Sequence, residues 1–417
     1  MTELAICGGE PVIPEPLQLF KRIGKSERKA AERVLSTGLL SGFIGAPGPD
    51  FDGGQEVQAL EAAWRKKFGV DHAISVNSAT SGLYAAMGAA GIGPGDEVIV
   101  PPYTMSATAI APLVYGAAPL FCDIEEETFC IDPEQVRQAI SPRTKAIIAV
   151  NLFGHPARLH ELRSLADEHG ILLVEDNAQG PLALEKERLA GTIGHIGVFS
   201  LNRHKHIQTG EGGICTTDDE NLALRLRLIR NHGENLVEHF GINDAKNLIG
   251  FNYRLTELSA AIGLSQLEKS EEIIAERERH GQRLSQALSG LSGLTPPVVR
   301  SGCRHVYYAW PARFSAEAAG VSRDAIARAL AAEGVPVNQG YVEPLYLLPI
   351  FRDREAPNGQ DYRRGLCPVC EQMHYQEELG FGICAFELSD KLIDRIAEAF
   401  FKVFENREAL RRLEPEA

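Results

Sequence analysis

Phe199-Ser-Leu-Asn-Arg-His-Lys-His-Ile-Gln-Thr-Gly-Glu-Gly-Gly213 holds one lysine, Lys205, between two apolar runs, residues 196–201 and 214–217, each short enough for a buried strand. The glycine-rich turn at 210–213 separates the lysine from the second run. A lysine in that position has its stem held by packing and its head group partly out of water. Desolvation disfavours the ammonium, lowers its pKa and leaves an amine able to act as a nucleophile in Schiff-base chemistry. A lone lysine beside a turn more often snorkels to solvent, so its neighbours decide the reading.

About thirty residues upstream, Ile171-Leu-Leu-Val-Glu-Asp-Asn-Ala-Gln179 reads as a buried strand ending in polar groups. Parallel α/β sheets bind ligands at the carboxyl ends of their strands, where Asp176 falls. An amine and a carboxylate so placed suit pyridoxal 5'-phosphate. The lysine takes up the aldehyde, and the acid keeps the pyridine nitrogen protonated so that the ring accepts electrons. Asp176 alone reads equally well as a helix N-cap.

Seven motifs occur in order: Asn77-Ser-Ala-Thr80, Val100-Pro-Pro-Tyr103, Glu175-Asp-Asn-Ala-Gln179, Phe199-Ser200, Lys205 before Gly210-Glu-Gly-Gly213, Arg230-Asn-His-Gly233 and Asn252-Tyr-Arg254. In these the chain resembles the DegT/DnrJ/EryC1/StrS family of sugar aminotransferases, fold-type I pyridoxal phosphate enzymes that aminate keto-sugars, often nucleotide-linked, and keto-cyclitols. The resemblance implies Lys205 and Asp176 as the catalytic pair, and glutamate or glutamine as amino donor. It also implies cofactor contacts from the turn of Ala79 and Thr80, from Gln179 and from Ser200. Ala79 stands where the family usually has glycine. Asn252 is implied to reach the phosphate of a neighbouring subunit, which makes the chain a homodimer with shared active sites. Relatives that remove a hydroxyl carry histidine in the lysine's place. His204 and His206 flank that place here, but the register to Gly210 puts Lys205 in it, which favours transamination over dehydration. A dehydratase using the same cofactor and a non-catalytic regulator that binds it are the alternatives.

Along the chain, residues 1–55 are rich in Gly and Pro over 39–54 and read as an arm packing on the main domain or on a partner subunit. Residues 56–268 alternate helices with buried strands, the pattern of a mostly parallel sheet of about seven strands with helices on both faces. Strands are expected at 72–76, 97–100, 119–123, 145–150, 171–175, 196–200 and 214–217. The small polar residues 77–81 open a helix expected over 82–90, and free N–H groups at such a start form a phosphate site as readily as a plain cap. Tyr103, past a strand end, is a candidate to stack on a planar cofactor, with core packing the alternative. The Glu, Arg and Gln of 271–282 read as a solvated linking helix. Residues 269–417 form a smaller α+β domain, with a strand at 306–314 and a substrate-facing loop at 337–346.

Composition narrows the remaining classes. The chain has 417 residues, 24% of them charged and 44% hydrophobic, which fits a soluble globular protein. A net charge of -14 without a basic stripe argues against nucleic acid and anionic membrane as partners. Apolar runs are strand-sized, and residues 1–10 lack the segments of a secretion signal. The eight cysteines have no framework spacing and fit reduced thiols in a cytoplasm. Cys367-Pro-Val-Cys370 followed by His374 lacks a second ligand pair, so no metal is expected.

Overall fold

The structure is a computed structural model that describes residues 3–353 and 359–412. The outermost ends of the expected arm and C-terminal domain, and residues 354–358, lie outside that range. Seven strands form one sheet: β1 (His72–Val76), β2 (Glu97–Val100), β3 (Ala118–Phe121), β4 (Thr144–Val150), β5 (Leu172–Asp176), β6 (Ile196–Ser200) and β7 (Gly213–Thr217). Their spatial order is β1-β7-β6-β5-β4-β2-β3. Strand β7 is antiparallel to both neighbours, and the other pairs are parallel. The fold is therefore the mostly parallel, helix-flanked seven-stranded sheet expected from the sequence pattern. Its central strands carry Val, Ile, Ala and Leu on both faces because both faces are covered.

Helix α1 (Lys25–Thr37) and α2 (Gln55–Phe68) precede the sheet, and α3 (Ala79–Ala89) follows β1. Helix α3 starts three residues earlier than expected because Ser78 is its N-cap, its hydroxyl accepting the Ser81 N–H at 3.0 Å. Helix α4 (Ala107–Val114) follows β2.

A second hydrophobic core belongs to the C-terminal part. There β8 (Leu294–Thr295), β9 (Trp310–Phe314), β10 (Asn338–Gln339) and β11 (Glu378–Phe381) form an antiparallel sheet in the order β8-β9-β11-β10. The N-terminal arm divides between the cores. Leu4, Val12 and Ile13 pack into the C-terminal one, whereas Phe43 and Phe51 join the large one. Glu333 holds the first part, its carboxylate accepting the N–H groups of Ala5 and Val12 at 2.9 Å each.

Two expectations need correction here. The helix α5 (Ser270–Leu288) is not a solvated linker. It buries Ile274, Arg277, Gly281, Leu284 and Leu288, a stripe spaced by three and four that its charged composition hides. The strand expected at 306–314 begins only at Trp310, because Tyr307 takes a left-handed φ of 48°. The Val306 N–H instead bonds the Gly154 carbonyl, and the Val306 carbonyl accepts from His206 Nε2 at 2.9 Å. That detour carries Tyr308 to the lysine loop.

Candidate active site

The carboxyl ends of β1, β2, β4, β5 and β6 converge on a cavity of about 180 Å3. Lys205, Asp176, Ala79, Thr80, Gln179 and Ser200 all line it. Residues far apart in the sequence are thus brought together at one edge of the sheet. Because β7 runs back against β6, the Lys205 loop starts and ends at this edge.

Lys205 is 8% exposed, and its Nζ lies 4.4 Å from the centroid of the Tyr308 ring. Burial takes its ammonium from 10.5 down to about 8, opposed by the charges of Asp176 and Cys384. Roughly a tenth of the amine is then neutral at pH 7, against roughly 0.03% for an exposed lysine. Asp176 ends β5, and its Oδ2 accepts the Thr108 hydroxyl at 2.8 Å while its Oδ1 accepts the Ala178 N–H at 3.2 Å. Burial raises its pKa, and those two hydrogen bonds together with the Lys205 charge pull the other way. Glu175, the preceding residue, accepts the N–H groups of Gly191, Ile193 and Gly194 at 2.5, 2.7 and 2.5 Å. It fixes the strand end without facing the cavity.

Ala79 and Thr80 occupy the first turn of α3, where N–H groups have no intrahelical acceptor. Ala79 keeps a negative φ, so the missing glycine carries no backbone strain. Gly213 packs against this turn so closely that a Cβ there would lie 2.7 Å from Ser78 C and 2.8 Å from Ala79 N. The Ser200 hydroxyl accepts the Asn202 N–H at 3.3 Å. Gln179 follows Asp176 in a turn, not in a helix. Its Oε1 accepts the Phe153 N–H at 2.7 Å, and its Nε2 donates to the Tyr341 hydroxyl at 3.0 Å. Free helix N–H groups, a buried acid and a desolvated amine on one cavity fit the phosphate, ring nitrogen and aldehyde of pyridoxal phosphate.

Tyr103 does not line the cavity. Its ring is fully buried between Phe129, Tyr341 and His374, and its hydroxyl accepts the Tyr341 N–H at 2.6 Å. Past Tyr103, Thr104 and Met105 line the cavity instead. Asn252 also lies outside it, with its side chain exposed and its carbonyl accepting from Asn77 Nδ2 at 3.3 Å. His204 lines the cavity, and burial lowers its pKa to about 4. His206 is fully buried against Val306.

Thr108 and Tyr308 escaped the sequence reading. Thr108 sits in an apolar helix 68 residues from its partner, and Tyr308 in a stretch that reads as a strand. Cys367 and Cys370 are buried at the start of a short helix, where the Val369 and Cys370 N–H groups donate to Asp123. Among the described residues no group of three or more His, Cys, Asp or Glu is placed to hold a metal ion, and no helix is long and apolar enough to cross a membrane.

The profile of the DegT/DnrJ/EryC1/StrS aminotransferase family matches residues 47–400. The chain is 36% identical over 299 residues to GDP-perosamine synthase of Caulobacter vibrioides, covering 72% of this chain and 79% of that one. It is 33% identical over 429 residues to a Streptoalloteichus tenebrarius protein proposed to be an L-glutamine:3-amino-2,3-dideoxy-scyllo-inosose aminotransferase, covering 98% of this chain and all of the other. Among solved structures, DesI, crystallised with its TDP-sugar product, superposes with a TM-score of 0.81 at 29% identity, covering 98% of each chain.

Proposed function

This chain belongs to the DegT/DnrJ/EryC1/StrS aminotransferase family, which is pyridoxal phosphate-dependent, and from that premise we propose that it moves an amino group from glutamate or glutamine to a keto-sugar, free or nucleotide-linked, or to a keto-cyclitol. The observation that carries this reading is the shared cavity of Lys205 and Asp176. Pyridoxal phosphate supplies an aldehyde that takes up the amino group and a ring that delocalises the electrons released at carbon. Lys205 Nζ would hold the aldehyde. With the cofactor and a donor bound, the lowered pKa of Lys205 would let its Nζ act first as base and then as acid, taking a proton from the donor α-carbon and handing it back. Asp176, steadied by Thr108, would pair with the ring nitrogen and keep it protonated. Thr80, Ser200 and the first N–H groups of α3 would take the phosphate, and Gln179 would lie against the ring's edge.

Asn252 acts on the phosphate of a second copy, which makes the homodimer the working unit; its exposure is what supports this. A mixture of Lys205→Ala and Asn252→Ala chains then regains up to about a quarter of wild-type activity through hybrid dimers with one intact site. Neither variant is active alone.

The direct test uses the cofactor-loaded chain with one substrate at a time. L-glutamate or L-glutamine alone bleaches the visible absorbance of the lysine-bound cofactor and releases one equivalent of keto acid, and a ketone acceptor restores the colour. Full retention of the absorbance with either donor would refute the reading.

A further inference from the structure

Strand β11 has two unlike faces. Leu379 and Phe381 are fully buried in the C-terminal core, so Glu378 and Gly380 point the other way. There lies a second cavity of about 150 Å3, walled by the rings of Phe153, Tyr308 and Tyr341 and by the polar groups of His204, Asn338 and Glu378. It adjoins the lysine site. His204 lines both cavities, Tyr308 carries the Lys205 amine over its ring, and Tyr341 is bonded to Gln179.

Glu378 is 2% exposed, and its Oε2 has no hydrogen-bond partner among the described residues. The nearest cation, Arg323, spends its guanidinium on the carbonyls of His374, Tyr375 and Glu378 itself, at 3.0, 2.9 and 2.9 Å. Burial therefore prevails, and the carboxyl rises to about 8 against the pull of Arg323. Gly380 makes the room, since a Cβ there would meet Glu378 Oε1 at 2.3 Å. A buried carboxyl with an idle oxygen is costly to keep, and a neutral one both donates and accepts. A hydroxyl group answers both properties.

We propose that this cavity is the acceptor-ring subsite and that Glu378 determines specificity there, exchanging hydrogen bonds with one hydroxyl of a polyhydroxylated six-membered ring while the aromatic walls hold the ring's apolar faces. The inference rests on the aminotransferase reading above and adds the residue that selects the acceptor.

The test compares the full-length, cofactor-loaded wild type with Glu378→Gln, which keeps a donor and an acceptor, and with Glu378→Leu, which keeps neither. The probes are myo-inositol and dTDP-glucose, which carry ring hydroxyls but no ketone, titrated calorimetrically into the aminated form of the cofactor complex. The donor step is followed separately by bleaching. At least one probe binds the wild type, Glu378→Leu weakens it by about tenfold or more, and Glu378→Gln stays within about threefold. The bleaching rate is the same in all three. Wild-type affinity in Glu378→Leu, binding of neither probe by the wild type, or a bleaching rate lowered in both variants would overturn the proposal. Loss of bleaching in the wild type itself would instead sink the aminotransferase reading.

Discussion

Thr108→Val is the sharpest perturbation available, because Thr108 is fully buried and its hydroxyl makes one contact that matters, a 2.8 Å hydrogen bond to Asp176 Oδ2. Valine fills a similar volume without the donor. The hydroxyl favours the ionised carboxyl, so its loss moves the Asp176 pKa further up from a value that burial already raises. A buried hydrogen bond to a charged group contributes about 1.5–3 kcal/mol, which corresponds to about one to two pKa units. The acid limb of the donor half-reaction therefore moves to higher pH by about that amount, and cofactor affinity falls most at the acid end. Stability follows the same sign. A carboxyl with a folded pKa above its unfolded value is a burden at pH above both, so the cofactor-free variant loses up to about 1–3 kcal/mol at neutral pH and little in acid. Rapid-mixing bleaching rates across the pH range, with Thr108→Ser as the variant that keeps the hydroxyl, measure the shift. Profiles of wild type and Thr108→Val that superimpose would refute the argument.

Lys205→Met removes a desolvated charge and, on the proposed function, the cofactor attachment as well. The folded pKa of about 8 lies below the ordinary 10.5, so the lysine's penalty is complete below pH 8 and disappears as pH rises to 10.5. Losing Asp176's partner offsets part of the gain, leaving the cofactor-free variant about 1–3 kcal/mol more stable at pH 7, with no advantage above pH 10.5. Urea titrations at several pH values check it. Gly213→Ala sets a methyl group 2.7 Å from Ser78 C and 2.8 Å from Ala79 N and so displaces the first turn of α3. Cofactor affinity is expected to fall by about tenfold, read by absorbance titration, and an unchanged affinity would show that this turn does not hold the phosphate.

The sheet and most of its site were legible because their signals are local. Each strand is a short apolar run, and Asp176, Ser200 and Thr80 sit within a few residues of a strand end, so fixing the strands fixes them too. What failed depends on contacts that no window spans. Tyr308 meets Lys205 from a hundred residues away, and its φ-positive neighbour Tyr307 breaks a stretch whose composition is that of a strand. Tyr103 and Met105 differ by two residues, yet the tyrosine packs into the core while Thr104 and Met105 line the cavity. Period-two counting gives no warning of this. The buried stripe of α5 is masked by its charges, since Arg277 lies under Phe20 with its guanidinium 4.1 Å from the ring.

The reversed strand β7 explains why the lysine can be placed so closely. In a parallel sheet a crossover carries the chain away from the strand end it has just left. Here β6 and β7 are antiparallel neighbours, so the loop between them stays at one edge and can be short. Backbone bonds tie it across its base, Leu201 N to Gly212 O at 2.8 Å, Arg203 N to Gly210 O at 2.9 Å and Thr209 N to Leu201 O at 2.8 Å. Gly210 at φ +87° closes the turn. The Lys205 backbone is therefore held by its own hairpin, and only the side chain has freedom, which the Tyr308 ring below and Asp176 opposite then restrict. On the proposed function the amine would leave the aldehyde and return to it in every cycle, and a tether short at the base and mobile only at the tip suits that role.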